Sequence, residues 1–227
     1  NSSCSKKDLN TPKLEKASID EQMTKSYNEG LEALNSGDPF VAANKFSEAE
    51  ILYPQSIWAP RSALMAAYSY YIQNYYEDAV AELERFIKVY SKHENLDYAY
   101  FLLANSYYEA GNNQMAIESA QKALDASPND FQPNYSLGQI LALTGEKKSA
   151  IEYIEKAINI DPANSDAIRQ LAMLYYEDDQ KEKSIETFKS AIENEQNKNR
   201  KADLYYNLGV LNMQLNNYND ADIAFEE

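Results

Sequence analysis

Small and apolar residues return along this chain in a long period. Ala42, Ala79, Ala116, Ala150, Ser184 and Ala221 are spaced by 37, 37, 34, 34 and 37 residues. Four residues after each stands a largely apolar position: Phe46, Leu83, Ala120, Ile154, Phe188 and Phe225. Five residues before each stands Gly37, Asn74, Gly111, Gly145, Asp179 or Asn216. These types best tolerate the positive φ of a helix-ending turn. Pro54, Pro128 and Pro162 close three of the units, where a helix must stop. In NYSLGQILALTGEKKSAIEYIEKAINIDP, Leu137, Ile140, Leu141 and Thr144 follow i, i+3, i+4, i+7 spacing, and Ile151, Ile154 and Ile158 do likewise beyond Gly145. Each unit therefore reads as helix, tight turn, helix, with the small residue letting the second helix lie close on the first. The pattern predicts an all-α fold of about six helix pairs. The three 37-residue spacings predict three additional residues in the loop between successive units. Ser184, and Gln196 in place of a closing proline, make the fifth unit weaker. The sixth unit stops at Glu227 inside its second helix, so the natural chain is expected to continue.

Composition narrows the chemistry. A net charge of −15 repels phosphate backbones and argues against nucleic-acid binding. One cysteine, Cys4, excludes an internal disulfide and a cysteine-based zinc site, and one histidine, His93, removes His pairs. No run of 18 apolar residues spans a bilayer. No G-x-S-x-G, P-loop or HExxH motif is present, so neither catalysis, nor a metal, cofactor or small-molecule substrate is expected. His93, in SKHENLD, is expected to pack or cap its loop. The carboxylates read as solvated helix faces with lysine at i+4, as in Glu152 and Lys156. The sequon-like NYS at Asn134 falls inside a helical pattern and is read as chance.

A 34-residue helix pair with this register resembles the tetratricopeptide repeat (TPR) family over about residues 20–227. The resemblance implies a right-handed superhelical solenoid with an inner, concave groove. It also gives the tyrosines an address. The chain has 19 Tyr against 7 Phe and 1 Trp, with adjacent pairs at 70–71, 75–76, 107–108, 175–176 and 205–206. Neighbours on a helix point about 100° apart, so the two members of a pair face different surfaces. In TPR register Tyr70, Tyr107 and Tyr175 take a packing position. Tyr71, Tyr108 and Tyr176 then face the groove. Tyr27, Leu31, Arg61, Leu64, Tyr68, Tyr98, Phe101, Asn105, Tyr135, Arg169, Met173 and Tyr206 join them there. Two readings stand at this point. Tyrosine fills irregular contacts between helices, or it paves a groove that holds an extended or helical peptide with little side-chain entropy cost.

Within residues 52–108, the elements YPQSIWA, LMAAYSYY, ERFIKVY and HENLDYAYFL resemble the BamD family of TPR lipoproteins, part of the outer-membrane β-barrel assembly machinery. The resemblance covers about residues 20–109. It implies three segments: a lipid-attachment tail and linker over 1–18, a BamD-like region over 19–109, and an ordinary TPR array over 110–227. It further implies a lipid anchor at Cys4, preceded by Ser3 as at a lipoprotein cleavage site, and a place on the periplasmic face of the outer membrane. Lys6, Lys7, Lys13 and Lys16 fall in the segment that would follow the anchor. The family's N-terminal repeats receive C-terminal, aromatic-rich segments of unfolded barrel proteins, and its C-terminal repeats dock the barrel-forming subunit. Carried here, the receiving surface is Tyr27, Leu31, Arg61, Leu64, Tyr68, Tyr71, Tyr98 and Phe101. After about Glu109 the repeats, such as AIEYIEKAINIDPAN, turn generic. They fit another periplasmic TPR adaptor, such as a pilus-secretin pilotin or an envelope-division coordinator, equally well.

Overall fold

The computed structural model describes residues 18–227, so Cys4 and the four lysines that follow it lie outside the described residues. Among the described residues the chain is all-α. Six helix pairs follow one another: α1 (Ile19–Asn35) with α2 (Pro39–Leu52), α3 (Trp58–Tyr71) with α4 (Tyr76–Val89), α5 (Leu96–Glu109) with α6 (Asn113–Ala126), α7 (Phe131–Leu143) with α8 (Lys147–Ile160), α9 (Ser165–Glu177) with α10 (Lys181–Asn194), and α11 (Lys198–Gln214) with α12 (Tyr218–Glu226). This is the helix–turn–helix fold of TPR arrays. Two compact units, Asn1–Ala66 and Ala67–Glu227, divide the chain inside α3.

The six turns are built alike. Gly37, Asn74, Gly111, Gly145, Asp179 and Asn216 all adopt positive φ, between 58° and 93°. In each, the next N–H reaches back to a carbonyl five residues earlier: Asp38 to Ala33, Tyr75 to Tyr70, Asn112 to Tyr107, Glu146 to Leu141, Gln180 to Tyr175 and Asn217 to Asn212, at 2.8–3.0 Å. This Schellman bond satisfies a helix-end carbonyl and reverses the chain in three residues. Helix starts are capped by short polar side chains. Ser18 and Glu21 form a reciprocal capping box at α1. Asp38, Asn112, Asn164 and Asn197 accept from backbone N–H groups of their helices.

Close approach within a pair rests on two positions. The small residues Ala42, Ala79, Ala116, Ala150, Ser184 and Ala221 are all buried. Ser184 is no weakness, because its hydroxyl donates to the Ala172 carbonyl at 2.6 Å. The second position lies on the first helix, sixteen residues before the apolar residue of the second. A Cβ on Gly30 would stand 2.9 Å from the Phe46 ring, one on Gly138 2.6 Å from Ile154 Cγ1, and one on Gly209 2.4 Å from Phe225. The equivalent residues elsewhere are Ala67, Ala104 and Ala172, all buried. The position is thus always small: Gly where Phe46, Ile154 and Phe225 come closest, and Ala at the same offset before Leu83, Ala120 and Phe188.

One expectation is corrected. The first two 37-residue spacings lengthen inter-unit loops by one and two residues rather than three, to residues 53–57 and 90–95, against 127–130 and 161–164 in the shorter units. The last does not. Its loop is only 195–197, and the additional residues extend α11 to 17 residues. The cause is local. Arg200 Nε donates to Glu195 Oε2 at 2.7 Å, and Asn197 caps the new helix. Together they restart a helix where three of the other units have a proline. The Arg200 guanidinium and the Asn197 N–H hold Glu195 below the usual carboxylate range. In the same last unit Phe225 is half exposed, although it fills the space over Gly209.

Smaller expectations resolve as follows. His93 accepts from the Asn95 N–H at 3.2 Å and sets its ring edge-on to Phe86 at 5.8 Å. Asn134 is buried and donates to the carbonyls of Pro128 and Asp130 at 3.0 and 2.8 Å, so it ties down the loop before α7. Lys156, expected to pair with Glu152, lies over the Tyr153 ring at 4.4 Å.

Candidate functional site

The candidate residues share one register on the first helix of every unit. They occupy positions thirteen, ten, six and three residues before the positive-φ turn residue. That spacing is one face of a helix. In the second compact unit, α5 presents Tyr98, Phe101, Asn105 and Tyr108 in these positions. The same positions carry Gln132, Tyr135, Gln139 and Ala142 on α7, and Asp166, Arg169, Met173 and Tyr176 on α9. On α11 they carry Asp203, Tyr206, Val210 and Met213. Contacts between α5 and α7, and between α9 and α11, set these first helices side by side.

The aromatic end of this stripe is dense. Tyr98 and Phe101 stack with ring centroids 5.9 Å apart, and Tyr71 meets Tyr76 edge-on at 6.2 Å. Partial burial raises the phenol pKa of Tyr71, and the nearby Tyr76, Glu109 and Tyr68 raise it further. Tyr98 is raised in the same way, by burial and then by Tyr68 and Tyr71. Tyr68, Tyr71 and Tyr98 are thus electrostatic neighbours, although they come from α3 and α5. With their pKa values raised, the Tyr71 and Tyr98 phenols stay neutral donors at ordinary pH, and each offers a ring as well. Asn105 turns its amide nitrogen back to the Phe101 carbonyl at 2.9 Å.

Further along, the stripe becomes polar. Tyr135 stacks on Phe131 at 5.2 Å. Burial raises its phenol, Asp166 adds to the rise, and Arg169 and Gln139 offset part of it. Arg169 itself pairs with Asp166 at 3.3 Å. Met173 and Tyr176 are partly covered, and Tyr206 is mostly exposed, 5.9 Å from Phe225.

In the first compact unit the expected residues fare differently. Tyr27 is partly covered, edge-on to both Phe46 at 5.2 Å and Trp58 at 5.5 Å. Arg61 lies over the Trp58 ring at 5.3 Å and is exposed. Leu31 is partly covered. Leu64 is buried, so it offers a ligand almost no surface and corrects the expectation for that position.

The tyrosine pairs divide their labour as their geometry requires. Tyr107 and Tyr175 are buried, and their hydroxyls donate to Glu84 of α4 and Glu155 of α8, in the preceding repeat. Burial and the bonded carboxylate push the Tyr107 phenol up to about 12 and raise Tyr175 as well. Their neighbours Tyr108 and Tyr176 lie in the stripe. These clasps escaped sequence reasoning, because periodicity gives the face of a residue but not its partner some 20 positions away. Gln132, Gln139 and Met213 are also stripe residues that sequence reasoning left out; the fixed register alone would have found them. Among the described residues no group of His, Cys, Asp and Glu could hold a metal ion. Also among them, no helix is long and apolar enough to cross a membrane.

Comparison with known proteins separates the two halves of the chain. Residues 19–137 match the YfiO family, described as an outer membrane lipoprotein. Residues 131–164 and 202–227 match one tetratricopeptide repeat family, and 166–197 another. The outer membrane protein assembly factor BamD of Caulobacter vibrioides is 35% identical over 102 residues, which cover 43% of this chain and 33% of that protein. BamD of Rickettsia prowazekii is 37% identical over 82 residues, covering 36% and 33%. The chain thus spans about a third of the length of the curated relatives it matches. Among solved structures, a tetratricopeptide repeat protein from Parabacteroides merdae superposes with a TM-score of 0.68 at 15% identity, over 91% of this chain and 78% of that one. MamA of Desulfovibrio magneticus RS-1 does so with 0.65 at 18%, over 78% and 96%. These two likenesses concern the fold.

Proposed function

We propose, from the premise that the chain belongs to the YfiO family of outer membrane lipoproteins, that it is a non-enzymatic scaffold which holds peptide segments during assembly of outer-membrane proteins. The observation that carries this reading is the aromatic end of the stripe: Tyr68 and Tyr71 on α3 and Tyr98, Phe101 and Tyr108 on α5, partly exposed rings of which all but Phe101 carry a phenol. Such a face suits an extended segment with aromatic side chains, because rings stack and phenols meet the peptide backbone at low entropic cost. The relatives named for outer-membrane protein assembly support the choice of client. In this reading Cys4 carries the lipid that holds the protein to the periplasmic face of the outer membrane, and a barrel-forming assembly subunit is its partner. The mixed run through Gln139, Arg169 and Met173 contributes contacts of lower specificity.

Calorimetric titration with a synthetic C-terminal segment of a barrel protein, ending in an aromatic residue, tests this. Tyr98→Ala with Phe101→Ala weakens binding about tenfold or more. Unchanged affinity overturns the reading. Pull-down of the intact lipoprotein recovers the barrel-forming subunit; recovery of a secretin or a division factor instead would move the protein to another pathway.

A further inference from the structure

In the first compact unit, the connection from α2 to α3 carries an exposed apolar lip. Ile51 and Ile57 are each 75% exposed, Tyr53 42% and Trp58 38%. The four lie within eight residues, around Pro54. The loop that bears them is a formed turn: Ser56 N–H donates to the Tyr53 carbonyl at 3.0 Å, and Trp58 N–H to Ser56 Oγ at 3.2 Å. Trp58 is held from behind by the Tyr27 ring and from the side by the Arg61 guanidinium. Core packing does not account for two isoleucines placed this far into water. Each leaves apolar area unburied that a second phase would take up.

The chemistry of the lip suits a lipid–water boundary. Trp and Tyr combine an apolar ring with a polar edge and settle at the headgroup level, while isoleucine enters the acyl region. Charge is distributed to match. Residues 1–66 hold seven Lys and Arg against nine Asp and Glu, whereas residues 67–227 hold 14 against 27. The basic excess lies before Ser18, where four lysines stand against two acids, and the sequence from Ser18 onward holds 17 Lys and Arg against 34 Asp and Glu. An anionic lipid surface attracts the lysine-bearing segment that leads into the first unit, while the lip itself carries no acidic side chain from Ile51 to Trp58.

We infer that the Ile51–Trp58 lip is a membrane-contact element, which seats in the headgroup region of a phospholipid surface and sets the first unit against the bilayer. This rests on the outer-membrane placement proposed above but not on peptide binding. The element supplies a second, reversible attachment beside the lipid, and one anchor alone leaves orientation free.

The chain has a single tryptophan, so its fluorescence reports on this lip alone. The experiment uses the full chain with Cys4→Ser, without lipid, mixed with vesicles of phosphatidylethanolamine and a minority of phosphatidylglycerol. Trp58 emission shifts to the blue and is quenched by lipids brominated high on the acyl chain. Ile51→Asp with Ile57→Asp lowers vesicle partition about tenfold or more, with helical circular dichroism and peptide affinity unchanged. Because both side chains are exposed, the variant folds; Ile51→Ser with Ile57→Ser gives a milder check. Emission that ignores vesicles, or a shift that survives the double substitution, overturns the inference. So does a shift produced by the client peptide but not by lipid, which would make the lip a protein contact. Loss of peptide binding with a normal lipid response would instead overturn only the peptide reading.

Discussion

Helices α5 and α7 occupy the same place in successive repeats and differ where it matters. Their cores correspond: Leu103 and Leu137, eight residues before the turn, are both buried. Their turns correspond too, at Gly111 and Gly145. The stripe does not. Helix α5 presents Tyr98, Phe101, Asn105 and Tyr108, and α7 presents Gln132, Tyr135, Gln139 and Ala142. The repeat is therefore specified by the turn, the small residue and a few core leucines. Four further positions are free to carry function. The family matches divide the chain in the same region, with the lipoprotein family ending at residue 137 and generic repeats beginning at 131.

This comparison can be broken at several depths. The largest effect comes from the shared core. Leu103→Ala and Leu137→Ala each cost about 2–5 kcal/mol in urea unfolding, and the two costs resemble each other, since both empty an equivalent site. A cost confined to one helix would show that the repeats are not equivalent in packing. Next comes the small position on the first helix. Gly138→Ala drives a Cβ into Ile154 and costs about 1–3 kcal/mol. Ile154→Val in the same chain recovers part of the loss. Ala104→Gly, which only loosens α5, costs about 1 kcal/mol or less. Thermal melts of the three variants rank them. Third are the stripe positions. Tyr108→Ala lowers peptide affinity about fivefold or more with little change in melting temperature, while Gln139→Ala leaves affinity within about twofold. The subtlest effect is a titration. The Tyr107 phenol rises from 10.0 in the unfolded chain to about 12 in the folded one. Its contribution to stability is complete below pH 10 and is lost as pH rises through about 12. Tyr107→Phe removes one late-titrating phenolate from the ultraviolet absorbance titration and flattens the alkaline loss of stability.

Much of this was legible in the sequence, for identifiable reasons. The turn residues could be read because positive φ restricts the residue type, and the inner alanines because close helices exclude larger ones. Asp179 and Asn216 fit that rule as well as Gly37 does. The stripe could be read because register carries over from one repeat to the next. What escaped was pairwise. The sequence shows an odd 37-residue last spacing, but placing the additional residues in α11 requires the Glu195–Arg200 pair and the Asn197 cap. The small position, Gly138 or Ala104, was visible at a fixed sixteen-residue offset, and only contact distances give it meaning. The Tyr107–Glu84 and Tyr175–Glu155 clasps depend on how one repeat sits on the next, which no single helix pattern encodes.

The claim that the aromatic end of the stripe is the receiving surface is tested most directly by photo-crosslinking. A benzophenone side chain is placed at position 101 on α5 or at position 135 on α7, in the same register, and irradiated with an aromatic-ended barrel-protein peptide. The account predicts a strong crosslink from position 101 that excess unlabelled peptide removes, and a weak one from position 135. Equal yields from the two, or a yield at 101 that competitor leaves unchanged, would contradict it.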